Sequence, residues 1–239
     1  MGLKLNRKKK RHLLLSFIYR ADKLILLKDR FKLKLYLDLE WIFNRLSHEY
    51  SFKIYRSNNH PNRIFSGDYI LKTINSTDNI LDLGCKQGDI SKIISSKAKR
   101  VVGIDYNQKE INKAIKVYGE TENLSFICSE AYEYLEKTEE NFDILILSHI
   151  LEHIDNPKEF LTKFSRFFKK IYIEVPDFEA SYLNQYRFNI DAQLIYSDAD
   201  HVFEFDRKEL KELLSSCNLV IDIEEYRYGV QKIWCSHKS

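Results

Sequence analysis

The stretch ILDLGCKQGDI, residues 80–90, runs from an apolar segment through two glycines, Gly84 and Gly88, into the start of a helix. Its first half reads as a buried strand that carries one acidic residue, Asp82. Glycines at such a turn let the backbone reverse sharply and approach a ligand closely, in the crevice beyond the carboxyl ends of parallel strands. A glycine turn alone is weak evidence. Its weight rises because the next apolar run, RVVGIDYNQ at 100–108, places Asp105 at its end, 21 residues after Gly84. A carboxylate there can accept hydrogen bonds from the ribose hydroxyls of an adenine nucleoside.

Working outward, apolar runs of four to six residues alternate with helical stretches. Strands are expected at Ile80–Leu83, Arg100–Ile104, Ser125–Cys128, Phe142–Leu147 and Lys170–Val175. Helices are expected around 88–97, 107–118, 130–137 and 157–168, and again over FDRKELKELLSSCN. LVIDIEEYRYGVQKIWCS reads as two strands about a turn at Tyr228-Gly229. Strands and helices in alternation require crossover connections, hence an α/β chain with a doubly wound, mostly parallel sheet and one antiparallel edge strand.

Before His60-Pro61 the pattern differs. Residues 1–60 carry 15 Lys and Arg against 5 Asp and Glu, a balance of +10, whereas residues 61–239 carry 23 against 30, a balance of −7. Apolar residues recur every three or four positions from Leu13 to Leu46, which suggests two amphipathic helices broken near Asp29–Lys34. The expected organisation is a basic helical extension, 1–60, ahead of a domain over 61–239. The basic run RKKKR and the following apolar faces suit an anionic membrane surface or a partner subunit. The four cysteines show no C-x-x-C pair, and the apolar runs fall short of the roughly 20 residues of a membrane span. Reduced thiols in a cytoplasmic protein are the expectation.

The motifs LDLGCKQGD, VVGIDYN, FICSEAYEYL, FDILILSHILEHIDNPKEFL, IYIEVP and HVFEFDRKELKELLSSCNL occur in order over about 61–239. In sequence and spacing they resemble the class I S-adenosylmethionine-dependent methyltransferases, particularly the small-molecule and sugar methyltransferases, which have a Rossmann-like core. The resemblance implies that Asp82, Gly84, Cys85 and Gly88 frame the methionine part of S-adenosylmethionine. It implies that Asp105 holds the ribose, that Tyr106 lies against the adenine, and that Glu130 and Ala131 sit near its amino edge. Ser148 and His149 would floor the sulfonium. Lys86 departs from the pattern, standing where the family usually has a glycine, and is strained if that position needs a positive φ.

LSHILEHIDNP, residues 147–157, also contains His149, Glu152 and His153 in the order H-x-x-E-H, an inverted zinc-peptidase pattern. That chemistry needs the histidines on a long helix. Here His149 directly follows a strand, and Asn156-Pro157 disfavours helix soon after, so no metal is expected. In a methyltransferase the same turn adjoins the transferring methyl, and a hydroxyl acceptor needs a base. His149, His153 and His201 are the candidates. The segment DFEASYLNQYRFNIDAQLIYSDADHVFEF, 177–205, reads as an inserted lid or substrate wall, its aromatics and carboxylates suited to sugar rings. The expected acceptor is a hydroxyl on a small molecule or saccharide, as in surface-glycan synthesis. RNA or protein methylation through the basic extension is the alternative, disfavoured because no RNA-binding module is present. A binding protein that has lost catalysis is a further one.

Overall fold

The computed structural model of the chain describes residues 13–55 and 59–238. Strands β1 (Asn79–Leu83), β2 (Arg100–Asp105), β3 (Leu124–Cys128), β4 (Ile144–Ser148), β5 (Lys170–Pro176), β6 (Leu219–Arg227) and β7 (Val230–His237) form one sheet in the order β3-β2-β1-β4-β5-β7-β6. The first five pair in parallel. β7 runs antiparallel to both β5 and β6, so the reversed strand stands one place inside the edge. The order reverses between β2-β1 and β4, which opens the ligand crevice of this topology beside the carboxyl end of β1.

Period-two alternation assigns each strand residue to a face. Ile80, Ile144, Ile146 and Tyr172 pack beneath α3 (Pro61–Thr73), α4 (Asp89–Ser95) and α5 (Gln108–Tyr118). Leu81, Leu145, Leu147, Ile171 and Ile173 pack beneath α6 (Ala131–Lys137), α7 (Pro157–Ser165) and α9 (Arg207–Ser216). Burial on both faces explains why these strands read as continuous apolar runs. All strands and helices expected from the sequence after residue 79 are present, with ends shifted by up to three residues. Helix α3, begun by Pro61 at its first turn and capped by His60, carries no clear apolar period.

Ahead of the domain lie α1 (Leu13–Asp22) and α2 (Asp29–Ile54). The break between them falls at residues 23–28, not at the expected Asp29–Lys34. Lys32 and Tyr36, one turn apart on α2, both reach back to Asp22 at the end of α1, so the chain must already be helical there. The basic run at 7–11 lies outside the described residues. Among the described residues no helix is long and apolar enough to cross a membrane. No residue of α1 is buried, while α2 buries Leu37.

α2 meets the segment after β5. That segment holds helix α8 (Leu183–Asn189), whose buried Arg187 donates to the Leu37 carbonyl at 3.1 Å and pairs with Glu40. Trp41 Nε1 donates to the Tyr196 carbonyl at 2.7 Å, and Arg45 pairs with Asp198. Together α2 and residues 177–205 roof the carboxyl edge of the sheet near β5.

Candidate active site

The β1–α4 turn is built on backbone conformations that L side chains avoid. Gly84 and Gly88 have φ of 71° and 79°. A Cβ on Gly88 would lie 2.4 Å from the Phe126 ring, so this glycine also provides close packing. Lys86, between them, has φ of 49°, which is why a glycine there would be less strained. Its exposed side chain borders the cavity described below.

Asp105 is buried at the end of β2 and accepts from the backbone amides of Lys86, at 3.0 Å, and Asn107, at 2.8 Å. It therefore ties the two loops of the crevice together, with a lone pair left on each oxygen. Asp82 lies under the turn, accepting from the Ser91 hydroxyl of α4; burial pushes its carboxyl up to about 6, the Ser91 hydroxyl opposing. Cys85 is a buried thiol whose pKa burial raises far above its usual value. Tyr106 is 79% exposed, Glu130 is exposed at the start of α6, and Ala131 is buried beside it. The Ser148 hydroxyl at the end of β4 is buried without a hydrogen-bond partner among the described residues. The positive-φ cradle, the carboxylate at the end of β2 and the orphaned Ser148 hydroxyl fit an adenosyl sulfonium cofactor across the ends of β1, β2 and β4.

His149 follows Ser148 with φ of 58°, a left-handed conformation that carries strain in a non-glycine residue. Its backbone amide donates to the Glu174 carbonyl at 2.8 Å. Both ring nitrogens face carboxylates, Nδ1 at 3.0 Å from Glu152 Oε1 and Nε2 at 3.2 Å from Glu174 Oε1. Burial pulls the imidazole's pKa down, but the two carboxylates outweigh it and hold the ring above its ordinary value. The same contacts hold Glu174 below the carboxylate range in spite of its burial. Ser66 of α3 donates to Glu174 at 2.8 Å and Tyr172 donates to its other oxygen.

Glu174 is absent from the sequence-based site, although a charged residue in the middle of IYIEVP is its signal. By strand alternation it faces Ser66 of α3, a helix that the sequence does not announce. The geometry does not supply the long helix of the zinc-peptidase pattern: Leu151–His153 is a single 3-10 turn, and His149 turns to Glu174 instead of joining His153.

A cavity of about 550 Å³ opens from His149 and Lys86 toward α2 and residues 177–205. This volume lies in the usual range for small-molecule sites. His153 and His201 line it beside His149, their rings 4.8 Å apart. Thus the three candidate histidines share one cavity, although His201 lies 48 residues beyond His153 in the sequence. His201 pairs with Glu204 at 2.8 Å, and burial opposes the resulting upward shift of its pKa. The cavity also exposes Trp41, Asn44, Phe65 and Tyr228, all of them outside the aromatic segment 177–205 that the sequence marks as a wall.

Residues 61–222 match a family model described as a methyltransferase domain. A mitochondrial ubiquinone biosynthesis O-methyltransferase of Dictyostelium discoideum is 32% identical over 102 residues, which cover 38% of this chain and 32% of that protein. The match thus spans about a third of that relative. Among solved structures, an S-adenosylmethionine-dependent methyltransferase of Clostridium acetobutylicum superposes with a TM-score of 0.57 at 14% identity, covering 83% of this chain and all of the other. Magnesium protoporphyrin IX methyltransferase of Synechocystis, with bound S-adenosylhomocysteine, gives 0.55 at 12% identity, covering 74% and 82%. These structures share the fold. With the family model spanning well over half of its residues, the chain belongs to the class I S-adenosylmethionine-dependent methyltransferases.

Proposed function

We propose that the chain O-methylates a small hydroxylated molecule, with a saccharide as the acceptor class its cavity suits best. The observation that carries this reading is the cavity itself, which begins at His149 on the end of β4 and extends away from the glycine turn. Donor and acceptor in such an arrangement approach from opposite sides of one turn, which is what an in-line transfer requires. The curated relative's name, an O-methyltransferase, supports an oxygen acceptor.

When bound, S-adenosylmethionine supplies an electrophilic methyl on sulfur; the C–S bond breaks as the O–C bond forms, and the acceptor hydroxyl gives up its proton. The residues of the chain align the two partners. Asp105 and the Gly84–Gly88 turn hold the donor end, with Tyr106, Glu130 and Ala131 along the adenosine. His149, with both ring nitrogens committed to carboxylates, acts as a positioning residue at the floor rather than as the base. That leaves the His153–His201 wall to receive the acceptor hydroxyl. Trp41, Phe65 and Tyr228 offer flat apolar faces, and Asn44 and Asn62 offer amides, a mixture that suits a sugar ring.

The test is incubation of the full chain with methyl-labelled S-adenosylmethionine and panels of monosaccharides, oligosaccharides, phenols, amines and RNA. Label in a stable methyl ether of a saccharide is the expected product. A phenolic ether alone would overturn the saccharide assignment, and transfer only to nitrogen or to RNA would overturn the reading as a whole.

A further inference from the structure

His153 and His201 line the cavity, and with Glu152, buried beside them, they form a donor set that the binding of an adenosyl cofactor leaves unused. Glu152, His153 and His201 each present one ligand atom, and the three atoms lie within 4.8 Å of one another. Small side-chain rotations bring such a set to the roughly 2.0–2.2 Å bonds of a four-coordinate ion.

Each member is prepared for a cation. Glu152 is fully buried; Oε1 is taken by His149, while Oε2 has no hydrogen-bond partner among the described residues. A buried carboxylate oxygen left unpartnered bears the full cost of its lost hydration, which a bound cation removes. His201 Nδ1 is 2.8 Å from Glu204 Oε1, and His153 Nδ1 is 3.2 Å from the Asp200 carbonyl. Imidazoles that ligate metals have their second nitrogen tied in this way, to a carboxylate or a backbone carbonyl, which fixes the tautomer and aims the other nitrogen. The Ser197 hydroxyl donates to the same Glu204 oxygen at 2.7 Å, extending the support outward. The backbone joins the two halves: Val202 and Phe203 amides donate to the Glu152 carbonyl at 2.9 and 3.2 Å, so the covering segment docks with His201 beside His153.

We propose that Glu152, His153 and His201 bind a divalent first-row transition cation of the zinc or iron(II) class, with a coordination position open to an oxygen of a ligand in the cavity. Two imidazoles and one carboxylate select such ions over magnesium or calcium, which take oxygen ligands. Asp198 and Asp200, which form a second compact set with His201, stand at its outer side. The set is not that of the H-x-x-E-H pattern, because His201 replaces His149 and the glutamate is a ligand. An ion here would stand on the acceptor side of the methyl-transfer floor; that role rests on the function proposed above, whereas the binding does not.

Titration of the metal-free full chain with Zn²⁺, followed calorimetrically and by metal analysis after desalting, tests the site. One equivalent is expected to bind, with an affinity reduced by more than about 100-fold in His201→Ala and in His153→Ala, beyond the roughly 10–100-fold that follows loss of an outer partner. Glu204→Gln is expected to fall within that smaller range, and His48→Ala, a cavity histidine outside the set, to bind as the unaltered chain does. Circular dichroism and S-adenosylhomocysteine binding report whether each variant is folded and whether the cofactor reading stands independently. Absence of saturable Zn²⁺ binding, or equal affinity in a folded His153→Ala/His201→Ala variant, overturns the proposal.

Discussion

At the scale of single residues, the site depends on carboxylates whose surroundings differ. Asp105 is buried but satisfied by two backbone amides, Glu174 is held charged by an imidazole and two hydroxyls, and Asp82 has one hydroxyl against its burial. Burial raises the Asp82 carboxyl to about 6, above its value in an unfolded chain. The folded chain therefore binds this proton more tightly, and the stability this gives is complete below the unfolded pKa and lost as pH rises through about 6. Asp82→Asn removes the titration while keeping an acceptor for Ser91. Urea unfolding at pH 4 and pH 7 is expected to show the variant gaining about 2–3 kcal/mol relative to the unaltered chain between the two, at about 1.4 kcal/mol for each tenfold change in proton affinity on folding. A difference that does not change with pH would mean that Asp82 is not desolvated in solution.

The sequence exposed some of these residues and hid others for physical reasons. Asp105 and the glycines were readable because their chemistry is tied to a local turn at a fixed distance from a strand. Glu174 was a charge inside an apolar run, visible as an anomaly but without a partner until the register of β4 on β5 set Ser148 opposite it. His153 and His201 meet through docking of the segment 177–205, which has little regular structure, and no local pattern encodes that contact.

At the scale of elements, the β1–α4 turn and the β6–β7 turn share one backbone conformation for different reasons. Gly88 and Gly229 both have φ of 79°. Around Gly229 nothing lies within 4 Å of an added Cβ, whereas at Gly88 the buried Phe126 ring stands 2.4 Å away. Gly229→Ala thus isolates backbone strain, at about 1–2 kcal/mol. Gly88→Ala adds displacement of a packed ring, and the total is expected at about 2–5 kcal/mol with loss of cofactor binding. Chemical denaturation of both variants checks the contrast; equal losses would show that close packing against Phe126 is not a requirement of the turn.

Strand and helix order were legible because the central parallel strands are buried on two faces and bounded by turn residues. The position of the α1–α2 break was not, because FKLKLYLDL satisfies both a strand and a helix period locally. Contacts of Lys32 and Tyr36 with Asp22 decide between them. Likewise the role of α2 as a roof depends on its long-range partners in 177–205, Tyr196, Asp198 and Arg187.

At the scale of the whole molecule, the carboxyl edge of the sheet carries the glycine turn after β1 and, from Lys86 and His149 outward, a cavity walled by α2, residues 177–205 and the β6–β7 turn. The central claim is that the crevice binds S-adenosylmethionine through Asp105 and the glycine turn. Calorimetry with S-adenosylmethionine on the full chain and on Asp105→Asn, which keeps an acceptor for one of the two loop amides, tests it most directly, with circular dichroism confirming that the variant is folded. Saturable binding at one site is the predicted result, weakened at least about 10-fold in the variant through loss of charge-assisted hydrogen bonds to the ribose. No binding to the unaltered chain at millimolar cofactor, or equal binding by the folded variant, would contradict it.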